Sequence, residues 1–156
     1  MVFPIQSASS APAHTAPPLR VATAGEALFD LIEEPDGRLK PCAGGAVYNL
    51  TRALGLQGVG TLYLNPLSGD MLGRQLAHGL HDAGVALAFP TPVRAPSALA
   101  LAALDTEGKA SYSFYRDGVA DRQVTAAALT AACTALPELQ VVATGCLALV
   151  AQDAAV

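Results

Sequence analysis

The chain has 156 residues, 52% hydrophobic and 14% charged, with a net charge of −4; that is one domain's worth and enough to bury a core. Its basic residues are scattered, which speaks against a nucleic-acid partner, and no apolar run reaches membrane-span length without a Gly, Pro or charge in it. Cys42, Cys133 and Cys146 are odd in number and far apart, with no zinc spacing, as expected of reduced thiols in a cytoplasmic protein.

Residues 1–18, "MVFPIQSASSAPAHTAPP", are rich in Pro, Ala and Ser and lack the basic and apolar regions of a signal peptide. They read as a disordered leader. "RVATAGEALFDLIEE" (20–34) reads as a strand interrupted by Glu26 and Asp30, "PDGR" as a turn, and "LKPCA" as a short extended piece. "AVYNLTRALGLQ" (46–57) has helical spacing, with Val47, Leu50 and Leu54 apolar and Ala53 on the flank. "VGTLYLNPL" (59–67) is a strand. "SGDMLGRQLAHGLHDAG" (68–84) is an amphipathic helix with Met71, Leu72, Leu76 and Leu80 facing inward, and "VALAF" (85–89) is a third strand. "SALALAALDTEGKASYSFYR" (97–116) is two extended runs around a polar turn, a hairpin. Thr125 caps a further helix, and "LQVVATG" (139–145) is another buried strand. Strands alternating with helices imply a parallel sheet covered on both faces, from which the hairpin projects.

Several residues can carry chemistry. In one strand Glu26 and Asp30 would share a face roughly 13 Å apart at about 3.3 Å per residue. Glycosidase carboxylates sit about 5 to 9.5 Å apart, so the pair does not read as a glycosidase site. A lone Asp ending a buried strand can accept hydrogen bonds from vicinal hydroxyls, or it can cap a neighbouring loop. Gly44 and Gly45 lead into a helix whose first turn holds Asn49. Neither a Walker loop nor GxGxxG is present. What remains is a bare backbone that a ligand can approach, with an amide beside it. By pattern alone the plainer reading, a turn leading into a helix with a solvated Asn, is favoured.

"DTEG" (105–108) reads as a surface turn and not a phosphate loop. His78 and His81 read as a solvated helix surface, since no third metal ligand is in sight. Ser68 and Ser97 have no nucleophile elbow around them. In "SYSFYR", one hairpin face carries Tyr112, Phe114 and Arg116, placed to cover a ligand or to meet a partner subunit; a half-buried strand is the alternative.

Together these pieces resemble the ribokinase-like, or PfkB, family of carbohydrate kinases, most closely its fructokinase-type members. "GEALFD" is similar to the family's first strand, "AGGAVYN" to its signature AGG-x-x-x-N, and "LSGDMLG" to the segment that closes that signature at Gly73. Val47 and Ser68 depart from the usual pattern without removing a ligand-contacting group. The segment from "RAPSALALAAL" to "DGVAD" is similar to the family's lid.

The resemblance implies a three-layer α/β/α sheet with a projecting β lid, its strands at about 36–44 and 95–118 of a domain running from residue 19 to 156. It implies sugar contacts at Asp30, Gly44, Gly45 and Asn49, and a weaker substrate contact at Arg116, where sugar-acid kinases of the family place an Arg. It implies ATP and Mg as cofactors and a homodimer through the lid. It also implies that the family's second signature, with its catalytic Asp and most of its ATP site, belongs to a carboxyl-terminal half beyond Val156. The chain is then expected to be the sugar-binding part of a kinase and inactive by itself. The alternatives are a non-catalytic sugar-binding or interaction module, or a kinase for a nucleoside or 2-keto-3-deoxygluconate.

Overall fold

The computed structural model describes residues 17–104, 110–145 and 147. The expected single strand over 20–34 is two strands in two sheets. β1 (Val21–Ala24) stops at Gly25, and β2 (Leu28–Glu33) opens a new sheet. At Gly25 the backbone leaves the ladder. Its N–H donates to Asn65 Oδ1 at 2.7 Å, and its carbonyl accepts from the Tyr63 hydroxyl at 2.7 Å. Buried backbone groups need partners, and side chains from the next strand and its loop supply them here.

The first sheet runs β5 (Ala86–Leu87), β4 (Thr61–Tyr63), β1, β8 (Val141–Thr144), with every pairing parallel. Alternate residues serve opposite layers. Ala22, Leu62 and Leu64 pack towards Leu129, Ala132 and Cys133 of α3 (Ala126–Thr134). Tyr63 faces the other way and joins Val47 and Tyr48 of α1 (Ala46–Leu56) and Leu76 and Leu80 of α2 (Met71–Asp82). Thr23 points to the same side, its hydroxyl 2.7 Å from that of Thr51. The result is the expected α/β/α layering.

The second sheet runs β3 (Leu39–Gly44), β2, β6 (Ala98–Leu104), β7 (Ala110–Tyr115). β2 and β6 are parallel, and both outer pairings are antiparallel. β2, read from sequence as part of the first strand, thus belongs to the second sheet. The turn expected at "DTEG", the leader up to residue 16, and Cys146 lie outside the described residues.

The helices form where expected, but their buried faces differ from the apolar pattern. In α1 the buried residues are Val47, Tyr48 and Thr51, while Leu50 is exposed. Two polar groups reach inward because partners await them: the Tyr48 hydroxyl donates to Leu76 O at 3.4 Å, and that of Thr51 to Val47 O at 2.6 Å. In α2 Leu76 and Leu80 are buried, each worth about 1.5–3 kcal/mol. Met71, expected inside, is exposed at the first turn.

Asp70 caps α2. Its carboxylate accepts from Gly73 N at 2.7 Å and from the hydroxyl and N–H of Ser97, both at 2.8 Å, tying the helix to the start of β6. Burial alone would raise its pKa, but the bonds from Gly73 and Ser97 outweigh that and hold it below the ordinary Asp value. Thr125 caps α3 by accepting from Ala128 N at 3.2 Å.

β8, expected as a buried strand, carries Val141 and Val142 half in solvent. Among the described residues it is the outermost strand of its sheet on that side, and no residue of α3 is fully buried. Among the described residues no helix is long and apolar enough to cross a membrane.

Candidate functional site

The glycine pair leads into α1, and Gly45 is its N-cap with φ 103° and no side chain to offer. A helix start leaves several N–H groups without intrahelical acceptors. Glu26 answers them from across the chain: its Oε1 accepts from Ala46 N at 2.9 Å and Val47 N at 3.4 Å. Negative charge at a helix N-terminus is favoured by the helix dipole as well. Glu26 is 2% exposed, and its second oxygen, Oε2, is buried without a hydrogen-bond partner among the described residues. A Cβ on Gly45 would lie 2.8 Å from Glu26 O, so the helix start can seat this closely only with glycine there. From sequence Glu26 read only as an interruption of an apolar run. The available signal was a helix start with no Ser, Thr, Asp or Asn to cap it.

Around this helix start lies a cavity of about 370 Å³. Leu28 and Asp30 border it from β2, Gly45, Ala46 and Asn49 from the start of α1, and Tyr112 and Phe114 from β7; Glu26 and Leu147 complete it. Three of the residues singled out in the sequence, Asp30, Gly45 and Asn49, therefore meet at one cavity. Asp30 does not end its strand, as expected, but is the third residue of β2 in the second sheet. Its carboxylate has no hydrogen-bond or ion-pair partner among the described residues, and burial raises its pKa above the ordinary Asp value. Gly44 does not line the cavity. It lies directly behind Asp30, and a Cβ there would collide with Asp30 Oδ2.

Asn49 uses its backbone N–H within the helix, donating to Gly45 O at 2.9 Å, and its side chain is exposed. Tyr112 and Phe114 are stacked with ring centroids 6.0 Å apart and are both about half exposed. The cavity thus offers a carboxylate, an amide and an apolar aromatic face. That set suits a molecule with hydroxyls on its edge and C–H groups on its face.

Arg116 lies elsewhere. It follows the end of β7 and is 6% exposed, its Nη1 donating to Leu147 O at 3.0 Å and its Nη2 3.6 Å from Asp121 Oδ2. It borders a second cavity, of about 280 Å³, shared with Asn65 and Asp121. Leu147 borders both cavities. Burial raises the pKa of Asp121, and the Arg116 charge opposes that rise. Asn65 accepts from Gly25 N and donates to Asp121 O at 2.7 Å. This cavity sits where β1 and β8 end, the point at which the strand order switches direction. Asn65 and Asp121 were not singled out from the sequence, and neither belongs to a local pattern that marks it.

His78 and His81 are exposed and lie 3.2 and 3.6 Å from Asp82. Among the described residues no three His, Cys, Asp or Glu side chains group as a metal site.

No protein-family model matches the chain. It is 34% identical over 109 residues to a fructokinase of Rhizobium leguminosarum bv. trifolii, covering 67% of this chain and 33% of that one. A fructokinase-1 of Zea mays is 32% identical over 116 residues, covering 68% and 35%. The crystal structure of a fructokinase from Xylella fastidiosa superposes with a TM-score of 0.62 at 31% identity, over 70% of this chain and 37% of that one. The chain belongs to the PfkB, or ribokinase-like, family, on its fructokinase side. It spans about a third of the length of these curated relatives. The Xylella enzyme is also known with bound ATP, which accords with a family that uses ATP.

Proposed function

We propose that this chain is the sugar-binding part of an ATP-dependent carbohydrate kinase, with fructose or a related keto-sugar as acceptor. The observation that carries the reading is the cavity at which Asp30, Gly45 and Asn49 meet under the Tyr112–Phe114 pair. In this reading Asp30 and Asn49 grip sugar hydroxyls and the aromatic pair covers the sugar's C–H face. Gly44 leaves room for the Asp30 carboxylate, and Gly45 lets the backbone come close. Mg-ATP supplies the phosphoryl group, and no described residue is assigned to it. What these residues do is orient the acceptor hydroxyl, while the lid keeps water from competing for the phosphoryl group.

The charge around the cavity supports a neutral sugar over a sugar acid. Glu26 and Asp30 border it, and among the described residues no cation does. Arg116, the group the resemblance offers for a substrate carboxylate, has its charge met by Asp121 and borders the other cavity. The test is calorimetric titration of residues 1–156 with fructose and with gluconate. Fructose binding at least about tenfold tighter is expected, a difference of about 1.4 kcal/mol. Gluconate binding as tightly as fructose would overturn the preference.

Two further parts of the reading concern the chain by itself. The described residues offer no cradle for a γ-phosphate, so residues 1–156 alone are expected to release no ADP from Mg-ATP in a fructose-dependent coupled assay. The lid sheet, with Tyr112, Phe114 and Tyr115 exposed on β7, is expected to pair with its copy in a cytoplasmic homodimer. A monomer mass in light scattering at about the micromolar concentrations of stable dimers would contradict that.

A further inference from the structure

We propose that a groove on the face of β2 away from Asp30 is a second ligand site, for a small organic anion: a phosphate or carboxylate carried on an apolar body. The groove has a volume of about 630 Å³, within the range of small-molecule sites. Phe29 of β2, Pro41 and Ala43 of β3, and Tyr48 of α1 give it an apolar wall. Met71 adds an exposed thioether, an adaptable contact for an apolar body. Strand alternation separates this groove from the first cavity: Phe29 faces the groove, while Leu28 and Asp30 face the cavity.

The charge of the site comes from Arg52 on α1 and Arg74 on α2. Arg52 Nε donates to Gly79 O at 3.1 Å, and Arg74 Nη1 donates to Gly69 O at 2.6 Å. Among the described residues neither has a carboxylate partner, and no carboxylate lines the groove. A guanidinium has five N–H donors in a planar fork, so both side chains keep donors for an oxyanion. The Arg52 guanidinium is also held 5.9 Å from the centroid of the Tyr48 ring, which lowers the entropy cost of using it. In a chain of net charge −4, these two arginines lie on one apolar groove with no carboxylate of their own among the described residues, the nearby Asp82 being engaged by the groove-lining His78 at 3.2 Å, and they make a local positive site that attracts an anion.

The site stands or falls independently of sugar binding. The test titrates residues 1–156 with phenyl phosphate, with benzoate, and with benzyl alcohol as the neutral control, followed by calorimetry and by amide shifts in NMR. Phenyl phosphate or benzoate is expected to bind with a Kd below about 1 mM, and benzyl alcohol at least about tenfold more weakly. Shifts are expected at Phe29, Ala43 and Gln75. Arg74→Gln, a change at an exposed residue, should weaken the anion about tenfold with circular dichroism unchanged. Arg52→Lys, which keeps the charge and loses the fork, should weaken it as well. Benzyl alcohol binding as tightly as the anions, no anion binding at about 10 mM, or a double Arg52→Gln, Arg74→Gln chain that folds and binds unchanged would each overturn the proposal.

Discussion

The carboxylate of Asp30 occupies the space that a side chain on Gly44 would take. The two residues sit on neighbouring antiparallel strands, and the bare backbone of one sets where the acid of the other can lie. This is a physical reason for the first glycine of the pair. The second has a different one, the close seat of α1 against Glu26.

Gly44→Ala should therefore displace the Asp30 carboxylate while leaving both sheets in place. Losing one charge-assisted hydrogen bond to a sugar hydroxyl costs about 1.5–3 kcal/mol, about a tenfold to hundredfold loss of affinity. Equilibrium dialysis with labelled fructose reads it. An affinity equal to that of the unaltered chain would mean that the Asp30 position does not matter to binding.

Sugar affinity should depend on pH in a direction set by Asp30. The ionised carboxylate accepts hydrogen bonds from hydroxyls at both oxygens and more strongly than the protonated acid does, so binding is full above its pKa and weakens as pH drops through it. Burial raises that pKa, and the loss should begin at a higher pH than for an ordinary exposed Asp. The pKa of Asp70 is lowered instead, so the stability it lends is present above its unfolded-state value and is lost only as pH falls through the lower folded-state value. Fructose affinity should thus fall before the Asp70 cap is lost. A binding curve that stays flat until the chain unfolds would contradict this.

Thr23 and Thr51 join the first sheet to α1 through a buried hydroxyl pair 2.7 Å apart. Thr51 also donates to Val47 O, so its proton is spoken for and Thr23 is the donor between them. Thr51→Val should leave the Thr23 hydroxyl with only a long contact to Leu62 O, 3.5 Å away, at a cost of about 1–3 kcal/mol. Adding Thr23→Val should recover most of that loss, because the two apolar groups then leave nothing unpaired. Urea melts of the single and double variants decide it, and an additive double variant would contradict the pairing.

Much of this was legible locally. The caps of α2 and α3 follow from Asp70 and Thr125, whose side chains act within three residues of themselves. The hairpin of β6 and β7 follows from two extended runs around a polar turn. The break at Gly25 was not legible, because its cause, Asn65 and Tyr63, lies about forty residues away. Without that break Asp30 reads as a residue of the first sheet when it belongs to the second. Arg116 lies apart from Tyr112 and Phe114 for a related reason. Strand alternation puts it beside Tyr112 and Phe114, but β7 ends at Tyr115, and Asp121 draws the arginine into the other cavity. The role of Glu26 depends on a fold that brings it to a helix start twenty residues on.

The central claim is that the Asp30 cavity binds the sugar, and calorimetry of fructose with Asp30→Ala tests it most directly. The Asp30 carboxylate has no partner within the described protein, so its removal should cost no protein hydrogen bond and should leave the melting temperature near that of the unaltered chain. The expected result is a folded protein whose fructose affinity has fallen at least about tenfold. A folded Asp30→Ala chain that binds fructose as tightly as the unaltered one would contradict the claim and place the sugar elsewhere.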